Sequence, residues 1–513
     1  MNGAESLLRT LLAGGIDCCF ANPGTSEIHI VAALDQIKEM RCVLALFEGV
    51  VTGAADGYAR MAEKPACTLL HLGPGLGNGL ANLHNADRAH VPIVNLVGQH
   101  ATYHLKYDTP LTSDVEGIAR PYSKWVRTAL VTRSLGADAA AAIAAARMAP
   151  GQIATLIVPA DVSWTEGGSV PSTLPLSPPR LPDTKVVERA AQMLRSGLPT
   201  AVLMAGNALY GRGLLAAGRI AAVGRAKLLA PYPLTRLQRG AGLPVVERTA
   251  YVLEQAVEQY KEFRQVILVG AAAPVAYFAY PGKNAVITAP ECEVHTLATP
   301  AEDCAGALEA LDSTLSLSQW KSERQENRPA LPNGSITLQG VASVVGALLP
   351  DDTIVVDESM TSGRGLMAAT KGCPAHDWLG NTGGSIGIAL PLSVGAAIAC
   401  PHKRVLCLTA DGSAMYTIQA LWTMARENLN VTTVVFANRE YAVLKREFSY
   451  LGVGEPGPRA LDMFDIGKPD IDWVQLAQGA GVPGIRVTSL KGFAIALRDG
   501  LESAGPKLIE VPL

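Results

Sequence analysis

The 513-residue sequence contains no pair of cysteines separated by two residues, the spacing typical of zinc sites and redox-active disulfides. Its nine cysteines are scattered along the chain, and the only adjacent pair is Cys18 and Cys19. This pattern argues against a disulfide framework and against a structural zinc site. We interpret the cysteines as buried thiols of a reducing cytosol, and we therefore expect a cytoplasmic protein.

An excess of either charge is also absent. The chain has 43 lysines and arginines against 46 aspartates and glutamates, which gives a net charge of −3. Neither a nucleic acid nor an acidic membrane surface is therefore expected as a partner. Hydrophobic residues make up 49% of the chain and charged residues 17%, a balance that favours a well-buried globular protein over a disordered one.

Long hydrophobic runs are missing as well. The first residues, MNGAESLLRTLLAGG, lack a basic segment followed by a long apolar core, so they predict a short amphipathic helix and not a signal peptide. The longest weakly polar run, GGSIGIALPLSVGAAIAC at 383–400, is rich in glycine and contains Pro391. It barely reaches membrane-spanning length. We predict a buried helix that is opened by a glycine turn.

A dinucleotide-binding fingerprint is not found in the first part of the chain. The stretch GPGLGNG at 73–79 follows a strand-like run, but its glycines have the wrong spacing, and no matching motif with a downstream acid occurs. This argues against a nicotinamide-dependent dehydrogenase.

What the sequence does contain is an alternation of strand-like and helix-like segments in three blocks. The chain is too long for one hydrophobic core, and βαβ alternation predicts parallel sheets with helices on both faces. We predict an α/β fold of three doubly wound parallel-sheet domains, at 1–165, 184–315 and 336–513. A stretch rich in Pro and Ser at 167–183 and a polar stretch at 316–335 are the predicted linkers.

Asp411 and Asn438 each stand directly after a strand-like run of the third block, RVLCLTA and VTTVVFA. Ligands of such sheets bind outside the carboxyl ends of the strands. Gly412 and Ser413 open a helix-like stretch, whose free N–H groups suit a phosphate. Asp411 alone is more simply interpreted as a helix N-cap, and Asn438 as a turn residue. The pair of oxygen donors at two strand ends instead favours a Mg²⁺ site.

This stretch resembles the diphosphate motif of thiamine diphosphate (ThDP) enzymes, a Gly-Asp-Gly followed about 25 to 27 residues later by Asn-Asn. Ala410 and Ala437 replace the first Gly and the first Asn, but Asp411 and Asn438 are retained. The resemblance implies that both bind Mg²⁺ together with the backbone oxygen of Glu440.

Glu48, in LALFEGVVTGAADGYARM, follows an apolar strand-like run. Taken alone it is an ordinary acid at a helix start. The segment resembles the family pattern of a Glu followed by A-x-G-Y-A-R, here Ala55 to Arg60, which implies that Glu48 protonates the aminopyrimidine ring of ThDP and so activates the thiazolium carbon. Burial would raise the pKa of such an acid.

Further segments resemble the family in the same order along nearly the whole chain. FANPGTSE is similar to the first active-site loop, NTGGSIGIALPLSVGAAIA to the segment that bends the cofactor, and VDESMTSG to a diphosphate loop. The resemblance implies cofactor contacts from the backbone oxygen of Gly384, the wedge side chain Ile386, Met360, Thr361, Gly412, Ser413 and Tyr416.

The resemblance also implies a layout of pyrimidine-binding, middle and diphosphate-binding domains. The family's cofactor lies between the first domain of one subunit and the third of another. We therefore expect a homodimer or homotetramer with ThDP and Mg²⁺ at the subunit interface. A 2-oxo acid would be decarboxylated there, and the product either protonated or joined to a second carbonyl.

Within this family the sequence resembles both benzoylformate decarboxylase and the catalytic subunit of acetolactate synthase. His71 and Thr25 stand where the decarboxylase has a catalytic His and a Ser that contacts the substrate carboxylate. The region interpreted as the place of its second catalytic His contains arginines instead. These arginines could hold an acidic substrate or face solvent; they are Arg236, Arg239 and Arg248.

The synthase motifs are only partly present. Pro110 and Leu111 replace its Phe-Gln, and Glu447 replaces its acceptor-selecting Trp. No convincing flavin signature occurs, so FAD is doubtful. His100 and His104 are placed near the site without a role. Alongside an acetolactate synthase-like or benzoylformate decarboxylase-like enzyme, a ThDP enzyme that cleaves C–C bonds without loss of CO₂ and a non-catalytic ThDP-binding paralogue stay open.

Overall fold

A computed structural model describes residues 1–224, 226–315 and 326–513. Part of the second predicted linker, 316–325, lies outside the described residues. Its described part, 326–335, contains no helix or strand. The first predicted linker, 167–183, forms only an isolated bridge from Arg180 to Glu302. Both stretches therefore have the irregular backbone that their composition predicts where they are described.

The first sheet has six parallel strands in the order β2-β1-β3-β4-β6-β5. Alternate residues of β1 point to opposite faces: Phe20 packs into one hydrophobic cluster and Cys19 into another. Helices thus cover both faces. The strands are β1 Cys18–Asn22, β2 Arg41–Leu44, β3 Ala66–Leu70, β4 Ile93–Gln99, β5 Trp125–Thr128 and β6 Ile153–Pro159; the helices are α1 Gly3–Ala13, α2 Ile28–Leu34, α3 Glu48–Ala62, α4 Leu72–Arg88, α5 Val115–Ala119, α6 Thr132–Arg147 and α7 Ala160–Trp164.

The second sheet has five parallel strands in the order β10-β8-β7-β11-β12. Its adjacent strands β7 and β11 read TAVLM and QVILV, and both are buried throughout. The strands of this part are β7 Thr200–Met204, β8 Lys227–Ala230, β9 Arg236–Arg239, β10 Glu247–Arg248, β11 Gln265–Val269 and β12 Glu293–Ala298; the helices are α8 Thr184–Arg195, α9 Gly211–Gly224, α10 Leu253–Tyr260 and α11 Cys304–Leu315.

The third sheet has seven strands in the order β17-β18-β16-β15-β13-β14-β9. Six are parallel, and β9 joins the edge antiparallel to β14. The strands are β13 Ile354–Glu358, β14 His376–Gly380, β15 Val405–Ala410, β16 Val431–Ala437, β17 Gly484–Arg486 and β18 Lys507–Pro512; the helices are α12 Leu338–Leu348, α13 Leu366–Ala369, α14 Ala389–Ala399, α15 Asp411–Ala414, α16 Ala420–Arg426, α17 Ala442–Tyr450, α18 Pro458–Phe464, α19 Trp473–Gly479 and α20 Leu490–Glu502.

The predicted class, three parallel α/β sheets with helices, is confirmed. The domain boundaries stay a prediction, and β9 shows that the range 184–315 contributes one strand to the third sheet. The sequence pattern did not indicate β9, because a four-residue strand that reads RLQR has none of the apolar character of the other runs.

Helix α14 is the buried helix predicted at 383–400, and it packs on α3. Both helices carry glycines where the backbones approach most closely. A Cβ on Gly57 would lie 2.1 Å from the carbonyl oxygen of Leu392, and a Cβ on Gly395 would lie 1.9 Å from that of Ala54. Only glycine permits this contact between α3 and α14, which joins the part of the chain with the first sheet to the part with the third. Among the described residues, no helix is both long and apolar enough to cross a membrane.

Candidate active site

The ends of two adjacent strands in the third sheet bring Asp411 and Asn438 to one edge. β15 and β16 pair in parallel with Ala410 opposite Phe436, so the residues that follow both strands are neighbours. The carboxylate of Asp411 spans the two ends, since its Oδ2 accepts the N–H of Arg439 at 2.7 Å. The two strand ends therefore meet at one edge of the sheet.

Asp411 is 2% exposed, and its hydrogen-bond donors among the described residues are two backbone N–H groups, of Arg439 and of Gly412 at 2.8 Å. Burial raises the pKa of this carboxyl, while the N–H groups lower it. Ala410, not Asp411, is the N-cap of α15, so the capping interpretation is wrong. A buried carboxylate bonded only to N–H groups fits a bound cation, which would offset its desolvation.

The remaining predicted metal ligands lie in the turn after β16. Oδ1 of Asn438 accepts the N–H of Glu440 at 3.2 Å, which makes Asn438 a turn residue but leaves a second lone pair on its oxygen. The Glu440 carboxylate binds Lys445. The described residues contain no cluster of three or more His, Cys, Asp or Glu side chains suited to a metal. A cation here would therefore depend on amide and carbonyl oxygens beside Asp411.

Gly412, Ser413 and Tyr416 lie in and just after the four-residue helix α15. A Cβ on Gly412 would come within 2.6 Å of the Tyr441 ring, so glycine lets α15 approach the turn after β16. Ser413 is buried, whereas Tyr416 is half exposed and lies against Gly387. With four residues, α15 offers individual N–H groups to a phosphate, not a long helix dipole.

Met360 and Thr361, the predicted diphosphate contacts of the segment VDESMTSG, form a short 3₁₀ turn, Met360–Gly363, after β13. Met360 has a φ of +50° and is 42% exposed. A non-glycine residue in this left-handed region is uncommon and costs conformational energy. Strained residues of this kind are often found at binding sites.

Loop 381–388 is held by the buried carboxylate of Glu358, the last residue of β13. This carboxylate accepts the side-chain N–H of Asn381 at 3.0 Å and the backbone N–H groups of Gly387 and Ala389, both at 3.1 Å. Burial raises the pKa of Glu358 to about 7, against the effect of these donors. Sequence analysis missed this residue, although two successive acids, Asp357 and Glu358, after the apolar run at 354–356 are the signal that could have found it.

We expect the titration of Glu358 to appear in the pH dependence of stability. Its pKa in the folded protein lies above the ordinary 4.5, so its contribution is fully present below about pH 4.5 and is lost as the pH rises through about 7. The linkage amounts to at most about 3 kcal/mol. Relative to Glu358→Gln, the wild-type free energy of unfolding should therefore decrease from pH 4.5 to 8.

Urea unfolding followed by the fluorescence of tryptophan, including Trp378 in β14, measures this difference. Glu455→Gln, a change at an exposed glutamate, is the control. Parallel pH profiles for the wild type and Glu358→Gln would contradict the prediction.

Gly384 and Ile386, the predicted contacts that bend the cofactor, lie in loop 381–388. Gly384 has a φ of +83°, and a Cβ there would lie 2.0 Å from the hydroxyl oxygen of Tyr277. Both its backbone conformation and its contact with Tyr277 thus require glycine. Sequence analysis did not single out Tyr277, because nothing in its neighbourhood along the chain indicates that it reaches a loop of the third sheet.

Glu48 begins α3 at the carboxyl edge of the first sheet and is 7% exposed. Its carboxylate does not cap its own helix. Oε2 instead accepts the side-chain N–H of Asn78 at 3.0 Å, and a Cβ on Gly75 would lie 3.1 Å from Oε1. The side chain is therefore directed across to the first turns of α4, with a single hydrogen-bond donor among the described side chains.

His71 stands before α4 and binds an acid that sequence analysis missed. Its Nδ1 lies 2.8 Å from Oε2 of Glu27, and this oxygen also accepts the N–H of Gly24 at 2.7 Å. A Cβ on Gly24 would lie 2.3 Å from the His71 ring, so glycine lets the imidazole pack on the loop. The carboxylate therefore orients the imidazole.

Glu27 is fully buried, and its Oε1 has no hydrogen-bond partner. Burial raises its pKa, while the Gly24 N–H and His71 lower it. It ends the motif FANPGTSE, in which Thr25 was the predicted substrate contact. Thr25 is exposed at the start of the 3₁₀ turn Thr25–Glu27. The sequence signal was the acid three residues after Gly24, a capping-box spacing.

His100 and His104 lie at the same edge of the first sheet. Their rings are 5.7 Å apart. Burial and the nearby charges of His104 and His71 lower the pKa of His100. Two further imidazoles therefore lie at the sheet edge that carries His71. Their role stays unassigned.

Two of the three arginines singled out in the middle block are buried and do not face solvent. Arg236 and Arg239 lie on β9 and are 8% and 9% exposed. Nε of Arg236 donates to Asp377 at 2.9 Å, and the Arg239 guanidinium lies 5.2 Å from the Trp378 ring centre. Both therefore join β9 to β14. Arg248 donates to a backbone carbonyl at 2.6 Å. Sequence analysis could not anticipate this, because it did not place β9 in the third sheet.

These residues form two groups. The Glu48 half-site comprises Glu27, Glu48, His71 and Asn78, at the first sheet. The Asp411 half-site comprises Glu358, loop 381–388, Asp411 and Asn438, at the third sheet. In 1–224, 226–315 and 326–513 no hydrogen bond joins a residue of one half-site to a residue of the other.

A cavity of about 1300 Å³ lies at the carboxyl ends of the second sheet's strands. Gly206 after β7 and Gly270 after β11 line it, at the point where the strand order reverses. It reaches Tyr277 and Gly383 beside the Asp411 half-site. FAD stays a doubtful prediction.

Two family descriptions match the chain, and together they cover slightly more than half of it. The thiamine pyrophosphate enzyme N-terminal TPP binding domain matches residues 1–118. The thiamine pyrophosphate enzyme C-terminal TPP binding domain matches residues 366–511. The first range contains Glu48 and His71, and the second contains Asp411 and Asn438.

Full-length relatives agree with these matches. A Mycobacterium tuberculosis protein, provisionally named acetolactate synthase large subunit, is 52% identical over 100% of this chain and 99% of its own length. Benzoylformate decarboxylase of Pseudomonas aeruginosa is 26% identical over 97% of this chain and 96% of its own. The structure of 4-hydroxybenzoylformate decarboxylase from Rhodococcus jostii superposes with a TM-score of 0.85, covering 100% of this chain and 99% of its own; at 22% identity it shows a shared fold.

Proposed function

Because the chain belongs to the thiamine pyrophosphate enzyme family, we propose that it uses ThDP and Mg²⁺ to decarboxylate a 2-oxo acid and to join the product to a second carbonyl compound. A pyruvate-type substrate is the leading candidate. The observation that carries this proposal is the pair of half-sites: a buried Glu48 carboxylate at one sheet edge and a buried Asp411 carboxylate beside Asn438 at another.

The Asp411 half-site would hold the diphosphate end of the cofactor. Asp411, Asn438 and the backbone oxygen of Glu440 are the proposed Mg²⁺ ligands, a set of hard oxygen donors. The N–H group of Ser413 suits a phosphate oxygen, whereas the Gly412 N–H donates to Asp411, so Gly412 stays a proposed contact through its close backbone alone. Met360, Thr361 and Tyr416 stay proposed contacts, since they lie around the same sheet edge.

The Glu48 half-site would handle protons. ThDP, when bound, would supply an electron sink for the electron pair that the carbonyl carbon of a 2-oxo acid keeps when CO₂ leaves. Glu48 holds a proton at a ring nitrogen of the cofactor. The imidazole of His71, oriented by Glu27, can give or take a proton at the substrate. Thr25, exposed on the loop that carries Glu27, is the proposed contact for the substrate carboxylate.

Completion of the site would need two copies of the chain. Each half-site lies at the edge of a different sheet, and no hydrogen bond joins them within the described residues. We therefore propose a homodimer, or a homotetramer of such dimers, in which Glu48 of one protomer faces the Asp411 half-site of the other.

A second candidate is a benzoylformate-type decarboxylase. The pairing of His71 with Glu27 favours it, because a buried acid–imidazole pair is suited to protonating the product after CO₂ leaves. The 52% identity to a protein with an acetolactate synthase name favours the leading candidate. Cleavage of a C–C bond without loss of CO₂ stays a third possibility. An intact Glu48, Asp411 and Asn438 argues against a non-catalytic paralogue.

Product analysis tests the proposal. We expect proton NMR to detect 2-acetolactate when the enzyme is incubated with pyruvate, ThDP and Mg²⁺. Benzaldehyde formed from benzoylformate, without acetolactate from pyruvate, would support the second candidate. No product from either substrate, with ThDP bound in the same sample by calorimetry, would contradict both decarboxylase proposals.

A further inference from the structure

Helix α17 begins four residues after Asn438 and lies beside the turn Met360–Gly363. It therefore borders both loops proposed to bind the cofactor. None of its nine residues is buried. A helix without buried residues receives little stabilisation from apolar packing, so its position depends on the few specific contacts that it makes.

The best-defined of these contacts reach the middle unit, which here means the part of the chain that carries the second sheet. The Tyr280 hydroxyl donates to Oε2 of Glu447 at 3.1 Å, and the Tyr251 hydroxyl donates to Oε1 at 3.3 Å. We name Glu447, Tyr251 and Tyr280 the Glu447 cluster. Both carboxylate oxygens are thus used, and neither bond is local in sequence.

One tyrosine of the cluster, Tyr280, is anchored in a hydrophobic core. Tyr280 is 7% exposed and belongs to the hydrophobic core of the middle unit. Burial, with the neighbouring Glu447, raises the pKa of Tyr280 to about 12 and also raises that of Tyr251. Both hydroxyls therefore remain donors at neutral pH, and a bond from a hydroxyl to a carboxylate is stronger than one between neutral groups.

The same tyrosines connect α17 to loop 381–388. The Tyr251 ring lies 5.5 Å from the Tyr277 ring, and the Tyr277 hydroxyl contacts Gly384. One aromatic group of the middle unit thus touches the two elements that border the Asp411 half-site, α17 through Glu447 and the loop through Gly384.

We propose that Glu447 is a positioning residue: held by Tyr251 and Tyr280, it fixes α17 beside the Asp411 half-site and so determines how tightly the 2-oxo acid is bound. The inference rests on the proposed function. It assigns a substrate-binding role to the middle unit through two tyrosine hydroxyls and a carboxylate, without direct contact of these groups with the reacting atoms.

The test compares the double variant Tyr251→Phe/Tyr280→Phe with Tyr450→Phe. The double variant keeps the rings and removes both bonds to Glu447. Tyr450→Phe is a matched control, because Tyr450 lies on α17 and packs against the Tyr280 ring without a described hydroxyl bond. Hydrogen exchange of 442–450 measures the positioning of α17, and steady-state kinetics measures KM and kcat.

In the double variant we expect faster exchange of 442–450, a KM for the 2-oxo acid about tenfold higher, and a kcat and a ThDP affinity within about threefold of the wild type. Glu447→Gln keeps one acceptor oxygen and should give an intermediate KM. Tyr450→Phe should leave exchange and KM unchanged.

Unchanged exchange in the double variant, or a fall in kcat at constant KM, would overturn the inference. A wild-type protein that binds ThDP but turns over no 2-oxo acid would contradict the proposed function instead. In that case binding of methylacetylphosphonate, an unreactive 2-oxo acid analogue, replaces KM: equal affinity of the wild type and the double variant overturns the inference, and weaker binding by the variant supports it.

Discussion

Glu48→Gln is expected to lower kcat by about 10²–10⁴-fold, the contribution typical of a positioned acid or base. The amide is nearly the same size as the carboxyl, and its oxygen can still accept the Asn78 N–H that Glu48 accepts at 3.0 Å. The fold of the α3–α4 pair should therefore persist. What is lost is the proton that the side chain holds for the cofactor.

Calorimetry separates this loss from a loss of binding. ThDP affinity of Glu48→Gln should stay within about tenfold of the wild type, which corresponds to about 1.4 kcal/mol. Glu63→Gln, at the far end of α3, is the control, because Glu63 is largely exposed and its ion pair is with Arg236. Wild-type turnover by Glu48→Gln would remove Glu48 from the mechanism and with it the proposed role of the Glu48 half-site.

Asp411→Asn is expected to weaken Mg²⁺-dependent ThDP binding by about 10–100-fold. A contact to a charged group contributes about 1.5–3 kcal/mol, and each 1.4 kcal/mol is tenfold. The same change removes a buried charge whose pKa is raised by burial. Asparagine also keeps only one of the two oxygens that accept backbone N–H groups, and this loss offsets the relief of the buried charge. The melting temperature of the cofactor-free protein should therefore change little, although ThDP binding is weaker.

Titration of ThDP in the presence of Mg²⁺, and again with a chelator, measures this effect. The wild-type protein should lose affinity on chelation, and Asp411→Asn should be nearly insensitive to it. Asp470→Asn is a matched control, since Asp470 binds the side chain of Arg439, whose N–H bonds to Asp411. A lower melting temperature together with unchanged ThDP affinity would show that Asp411 stabilises the strand ends only.

The middle unit has a larger part in the site than the sequence suggested. Sequence analysis considered it as a place for a second catalytic His or for arginines that bind an acidic substrate. The structure instead places Arg236 and Arg239 between β9 and β14, where they are buried and bonded. Tyrosines from the same unit contact the loop at Gly384 and the helix at Glu447.

The polar groups of the two half-sites differ in how well they are satisfied. Asp411 and Glu358 accept several N–H groups each, whereas Glu27 has one buried oxygen without a partner. An unsatisfied buried oxygen costs free energy. This cost at Glu27 is consistent with a site that a cofactor, substrate or second protomer completes.

The fold class could be predicted from the sequence pattern alone. The same pattern predicted that the motif residues follow the ends of strands. Apolar runs alternating with helical stretches predict parallel sheets, and the residues that follow those runs must lie at the carboxyl edges of the sheets. Asp411 and Asn438 could be placed together on this basis, because β15 and β16 are consecutive strands and pair directly. Glu48 could be placed at a buried helix start by the same reasoning.

The contacts between side chains of different helices, strands and loops are seen only in the folded protein. The partnership of Glu27 with His71, the support of loop 381–388 by Glu358, the antiparallel β9 and the Glu447 cluster all join segments that are far apart along the chain. Hydrophobic periodicity records which face of an element is buried, not which element covers it. Pairings of this kind are set by the packing of whole sheets and helices, so a single sequence does not reveal them.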